Sequence, residues 1–179
     1  MRLFSTQTVI KMAEKSCDYV LELAKNGVIA FVPKGNSMWP TLKDEKQSVI
    51  VKRKTEKLRP MDVALYKRDN GANVLHRVMK TTDSGYIMCG DSQFVFEKVE
   101  EDNVYGVMVG FYRGKRYIDV NDAEYIEKVQ KWYRHKALRR FNVKTFFFFK
   151  KIRCMLALVI LKIFRSKRLK QGEKDDGSD

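Results

Sequence analysis

Between residues 28 and 113 the apolar positions come in short β-branched and aromatic runs, each closed by charged or turn-forming residues. VIAFV (28–32), SVIVKR (48–53), VALYKR (63–68), NVLHRVM (73–79), GYIMCG (85–90) and VYGVMVGFYR (104–113) predict strands. DNG at 69–71 and DSG at 83–85 predict hairpin turns between them. Pro33, Pro40 and Pro60 all fall at strand ends or in loops, where a missing N–H breaks no ladder. Strands this short and regularly spaced predict a mainly β (α+β) fold, a compact coiled antiparallel sheet.

The flanking segments follow the helical period instead. Val9, Ile10, Met12, Ala13, Cys17, Val20, Leu21 and Ala24 recur at three- and four-residue steps, and Asn26–Gly27 is a C-terminal stop, so a helix is expected over 6–25. Residues 121–140 carry capping and acidic residues at their start and basic ones at their end, which suits the helix dipole. The expected organisation is an amphipathic helix in 1–27, a catalytic β domain in 28–120, a basic helical tail in 121–170 and a disordered polar end in 171–179.

A chain of 179 residues, 44% hydrophobic, has material for one core with appendages. Cys17, Cys89 and Cys154 are odd in number, far apart and without CxxC spacing. That pattern argues against a disulfide framework and a zinc site, and predicts buried free thiols in a reducing compartment. Charges interrupt MRLFSTQTVIKMAEK too early for a signal-peptide core, so neither a secretory signal nor an N-terminal span is expected.

The net charge of +14 is segregated: residues 1–127 hold 20 Lys/Arg against 18 Asp/Glu, and residues 128–179 hold 16 against 4. The tail is therefore a separate physical object. Its longest uncharged apolar run, CMLALVIL, is too short to span a bilayer of about 30 Å. At 100° per residue, Phe148, Phe149, Ile152, Met155, Leu156, Val159, Ile160 and Ile163 fill one arc of roughly 140°, with Lys150, Lys151, Lys162 and Arg165 outside it. Such a helix lies in an anionic membrane interface, packs onto its own domain or a partner, or binds nucleic acid. The arc favours the membrane surface, through 141–170, and no groove-reading or base-stacking motif favours nucleic acid. The expected location is cytoplasmic, with a peripheral position at the cytoplasmic face of the membrane.

The candidate chemistry lies in the β region. Ser37 sits in GNSMWPTL (35–42), and a serine hydroxyl needs a base in hydrogen-bond reach to act as a nucleophile. Of the two histidines, His135 lies among basic residues and reads as solvent-facing. His76 shares a strand face with Val74 and Val78, which leaves two readings: a half-buried ring bonded to backbone, or a ring held at a working site. Asp91 in CGDSQF reads alone as a turn former, yet completes the order Ser, His, Asp.

GNSMWPTL, MDVALY, VLHRVM and YIMCGDSQ, in that order, resemble the successive boxes of the signal-peptidase and LexA-type serine peptidase superfamily over about residues 28–112. The resemblance implies Ser37 as nucleophile, His76 as general base and Asp91 as the acidic residue, as in the branch that uses histidine rather than lysine. It also implies an oxyanion hole from the backbone N–H groups of Ser37 and Asn36. Phe31, Val32 and Pro33 would offer a strand edge to an extended peptide, and Met38 would pack beside the nucleophile or touch substrate. Asp62 matches an acidic position that opens a strand, for which a turn role is expected. No cofactor and no metal is implied.

The departures from the family are also informative. An amphipathic helix stands where membrane-bound relatives carry an apolar anchor. Only 36 residues precede Ser37, and no Ala-Gly bond occurs, so a DNA-damage repressor is not expected. The expectation is a serine endopeptidase acting on an extended peptide or leader through a Ser37 acyl-enzyme. The alternatives are a non-catalytic peptide-binding or membrane-recruited scaffold on the same fold, and a nucleic-acid-binding protein using the basic tail.

Overall fold

The computed structural model describes residues 19–43 and 47–175. The part of the expected first helix before Tyr19, with Cys17, lies outside them. Helix α1 (Tyr19–Asn26) leads into strands β1 (Val28–Phe31), β2 (Val49–Arg53), β3 (Val63–Lys67), β4 (Asn73–Thr82), β5 (Gly85–Cys89) and β6 (Glu97–Glu100). A 3-10 turn (Glu101–Asn103), β7 (Val104–Arg113), β8 (Arg116–Asp119), α2 (Ala123–Arg134) and α3 (Lys136–Asp175) follow. All strand pairs are antiparallel, in the order β1-β2-β7-β3-β4-β5-β6, with β8 added beside β7. The fold is α+β and mainly β.

Strand β3 shows why the sheet holds together. Its side chains alternate between faces, and both faces are covered: Val63 and Leu65 enter one cluster with Leu23, Ile29, Val51 and Leu75, while Ala64 and Tyr66 enter another with Val78, Tyr86 and Met88. A strand buried on both sides reads as a continuous apolar run, as VALY does. Helix α1 contributes through Leu23, and Gly27 at φ 69° ends it, its N–H donating to Leu23 O.

Two strands were not legible in the sequence. β6 (EKVE) is a charged edge strand in which only Val99 is buried, and β8 (RYID) exists by pairing with the far end of β7. The expected single helix over 121–140 is two helices that break at His135, which is exposed as expected.

The chain divides into residues up to Gln130 and residues from Lys131, rather than at 120/121. The first turns of α2 belong with the sheet because Tyr125 packs edge-on against Phe111, with ring centroids 6.1 Å apart. In the second unit, α3 runs through Asp175, so residues 171–175 are helical where a disordered end was expected. No proline interrupts that stretch, and a helix already nucleated propagates past its single glycine for about 1 kcal/mol. Residues 176–179 lie outside the described residues.

Exposed apolar side chains on α3 include Phe148, Phe149, Met155, Leu156 and Ile160 of the expected arc. Leu138 and Phe141, also exposed, extend the same arc toward the N-terminus, while Phe147, Leu158 and Leu161 stand outside it. The apolar surface is therefore longer and broader than the pattern of 148–163 suggested. Among the described residues no helix is long and apolar enough to cross a membrane. Cys89 is a buried free thiol as expected, but Cys154 is exposed on α3.

Candidate active site

Strand β4 carries His76 and Arg77 as neighbours, and the pleat sends them to opposite faces. Each meets a carboxylate there. Arg77 and Asp91 are both fully buried, and the guanidinium grips the carboxylate through two parallel bonds, Nε to Oδ1 at 2.8 Å and Nη2 to Oδ2 at 2.7 Å. Arg77 Nη1 also donates to Met61 O at 2.7 Å, Thr41 Oγ1 donates to Asp91 Oδ2, and Tyr125 Oη stands 3.4 Å from the guanidinium. Met61 holds its carbonyl in place at a left-handed φ of 81°, a strained conformation for a side-chain-bearing residue.

His76, only 1% exposed, faces the other way. Its Nδ1 lies 3.2 Å from Glu97 Oε1 and 3.1 Å from Tyr66 Oη. Tyr66 Oη donates to Glu97 Oε2 at 3.0 Å, and Arg68 grips the same carboxylate through Nε and Nη2. A phenol has one proton, and Tyr66 uses it on Glu97, so its oxygen can only accept from the ring. With acceptors on both partners, the proton of the neutral imidazole belongs on Nδ1, and Nε2 carries the lone pair.

Burial is the main cause that lowers the His76 pKa below the ordinary 6.5; Glu97 opposes it, Arg68 adds to it and Asp91 opposes it. The ring is therefore neutral at pH 7, as a base must be. Glu97 itself is held below the usual carboxylate range: burial pushes it up, but the hydrogen bonds from Arg68 and Tyr66 and the nearby charges outweigh that. Burial and the adjacent Glu97 push the Tyr66 phenol far above its usual value, so it remains a donor.

Ser37 lies in the turn after β1, against the end of β5. Ser92 donates to Ser37 O from both its N–H (2.9 Å) and its hydroxyl (3.1 Å), and the hydroxyl also reaches Asn36 O at 2.8 Å. β5 ends at Cys89, paired with Arg77, and a Cβ on the next residue, Gly90, would meet Ser37 O at 2.7 Å. Glycine at 90 is thus what lets the serine turn close onto the end of β5.

Among the described residues no hydrogen bond joins Ser37 Oγ to the His76 ring, and the N–H groups of Asn36 and Ser37 donate to no partner. A turn with two adjacent unused donors beside a hydroxyl has the composition of an oxyanion hole.

Several sequence expectations need correction. Asp91 is not the carboxylate on His76: Arg77 claims both of its oxygens on the opposite face, and Glu97 stands on Nδ1. Met38 is buried in the first core cluster, and the Phe31 side chain packs there against Tyr19 with ring centroids 4.6 Å apart, so neither side chain is presented to a substrate. β1 nevertheless ends the strand order, so among the described residues its outer edge, continuing into the half-buried Val32 and Pro33, takes no strand of the sheet. Asp62 has the expected turn role, accepting from Arg59 N–H at 2.7 Å.

Tyr66, Arg68 and Glu97 escaped the sequence reading. Tyr66 was within reach, since the DNG turn sets Lys67 against Asn73, which places Tyr66 diagonal to His76 on one face. Glu97 was not, because β6 carries no strand signal.

The two carboxylates should fail differently. Asp91→Asn should destabilise the protein by about 3–5 kcal/mol in urea unfolding, because it strands a buried guanidinium. The His76 ring, followed by NMR, should titrate below 6.5. Glu97→Gln should lower its midpoint further, since it removes the charge that favours the imidazolium and frees the Arg68 charge beside it.

No protein-family model, no curated protein and no solved structure matches the chain.

Proposed function

We propose that the protein is a serine endopeptidase of the signal-peptidase-like kind, cleaving an extended peptide through an acyl-enzyme on Ser37. The observation that carries this reading is a neutral, buried His76 whose Nδ1 is held by Glu97 and Tyr66, on the strand next to β5, whose end meets the Ser37 turn.

In this reading Nε2 takes the Ser37 hydroxyl proton as Oγ attacks the scissile carbonyl. The imidazolium that forms keeps its Nδ1–H on Glu97, so the positive charge appears beside a carboxylate already paid for by Arg68 and Tyr66. The N–H groups of Ser37 and Asn36 receive the oxyanion. Collapse breaks the C–N bond, and Nε2 returns its proton to the leaving amine. Water, deprotonated by the same nitrogen, then attacks the ester; the C–Oγ bond breaks, and Nε2 returns the proton to Ser37 Oγ. The Oγ–Nε2 contact is completed when substrate fills the site, as catalytic hydrogen bonds commonly tighten in the substrate complex. Asp91 acts as a positioning residue, holding Arg77 and, through Ser92, the serine turn. The outer edge of β1, which pairs with no strand among the described residues, suits a peptide added as a further strand.

The exposed apolar stripe of α3, flanked by lysines and arginines, supports a peripheral position on an anionic membrane surface for the second unit.

A fluorophosphonate probe should label the parent and not Ser37→Ala. The labelling rate should fall on the acid side as His76 protonates, with a midpoint below 6.5. Equal labelling of parent and variant refutes the nucleophile, and an unlabelled parent favours a scaffold. Deleting 141–170 should release the protein from phosphatidylglycerol vesicles in co-sedimentation, and retention by the vesicles would refute the membrane contact.

A further inference from the structure

The strand order makes the carboxylate on His76 an unexpected neighbour. Glu97 opens β6, the last strand of the order, while Tyr66 lies on β3 and Arg68 just past its end, three places away. Across a flat sheet that separation is about 14 Å. Yet Arg68 Nε donates to Glu97 Oε2 at 2.6 Å, and Tyr66 Oη donates to the same oxygen at 3.0 Å. The sheet is therefore coiled on this face, with His76 of β4 inside the coil and almost wholly buried.

The two ends of this contact are not equally fixed. Arg68 enters the turn between β3 and β4, where its N–H donates to Ala72 O at 2.9 Å and its carbonyl accepts from Gly71 N–H at 2.8 Å. Glu97 sits on a four-residue strand that pairs with β5 and buries Val99 alone. An element with so few buried contacts opens easily, so the carboxylate takes its place from the side chains that grip it. Tyr66 supplies one bond, whereas the Arg68 fork occupies both oxygens and sets the plane of the carboxylate. That plane brings Oε1 to 3.2 Å from His76 Nδ1.

We infer that Arg68 is a positioning residue of the site: from the pinned β3–β4 hairpin it draws the Glu97 carboxylate of the outer strand over His76, and so fixes the imidazole proton on Nδ1. This deepens the peptidase reading and rests on it for the role of His76 as base, while the position of the proton does not. A lysine at 68 would not serve, because an ammonium is a point charge without a fork. The Arg68 side chain is 38% exposed, against 2% for His76, so it can be changed without opening a cavity around the ring.

The test reads the ring directly. Nitrogen-15 NMR at about pH 8, where the imidazole is neutral, is compared in the parent, Arg68→Gln, Arg68→Lys, Glu97→Ala and the variant combining Arg68→Gln with Glu97→Ala. The parent ring should carry its proton on Nδ1. Both Arg68 variants should shift it to a mixture of the two tautomers. The combined variant should match Glu97→Ala, since a residue acting only through another adds nothing once that one is gone. Fluorophosphonate labelling of Ser37 should slow about tenfold in both Arg68 variants, as the base loses its orientation.

Circular dichroism reports whether the fold survives, and if Arg68→Gln unfolds the chain, Arg68→Lys, which keeps the charge and the stem, decides alone. Nδ1 protonation retained in either Arg68 variant overturns the inference: in the glutamine variant no partner would be needed, and in the lysine variant charge without a fork would suffice. A combined variant whose ring differs from that of Glu97→Ala also overturns it, because Arg68 would then reach His76 by another route. An unlabelled parent removes the peptidase reading and leaves this one to the ring nitrogens.

Discussion

The site depends on one geometric constraint: adjacent residues on a strand point to opposite faces. His76 and Arg77 are adjacent on β4, which is buried on both sides, so a titratable ring and a permanent cation are driven into the interior in opposite directions. Neither can stay there without a partner. One return segment, residues 90–97, supplies both: Asp91 to the guanidinium and Glu97 to the imidazole. The sheet closes around these two pairs.

The pairs differ in what they leave available. Arg77 is saturated, bonded to Asp91 and Met61 O with Thr41 and Tyr125 close by, so its face is locked and its role is to hold the chain around it. His76 has a fixed Nδ1, while Nε2 forms no hydrogen bond among the described residues. Rigidity on one face and a single uncommitted lone pair on the other is the division of labour expected of a preorganised base. Burial keeps the ring neutral, and Glu97 keeps that neutrality from costing it basicity altogether.

Much of the scaffold was legible because its causes are local. VALY and VYGVMVGF alternate or run apolar as buried strands must, and DNG and DSG close hairpins through their own backbone preferences. Ser37 and His76 were singled out because a hydroxyl in a turn and an imidazole between valines are chemically conspicuous. Asp91 was equally conspicuous, and that misled: a carboxylate after glycine in the right order reads as the partner of the histidine, although the neighbouring arginine is the stronger and more directional claimant. Glu97 had no local signal at all, since EKVE becomes a strand only by pairing with β5.

The sequence by itself determined the antiparallel β character, the segregation of basic charge into a separate unit, and the residue types that could carry chemistry, because each follows from periodicity or composition within a few residues. Only the tertiary structure decided which carboxylate meets the imidazole and which the guanidinium, that Met38 and Phe31 are core, and that Gly90 admits the serine turn to the end of β5. These are contacts between segments from β1 to β6, and pairing across a sheet is set by register and burial that no single stretch of sequence contains.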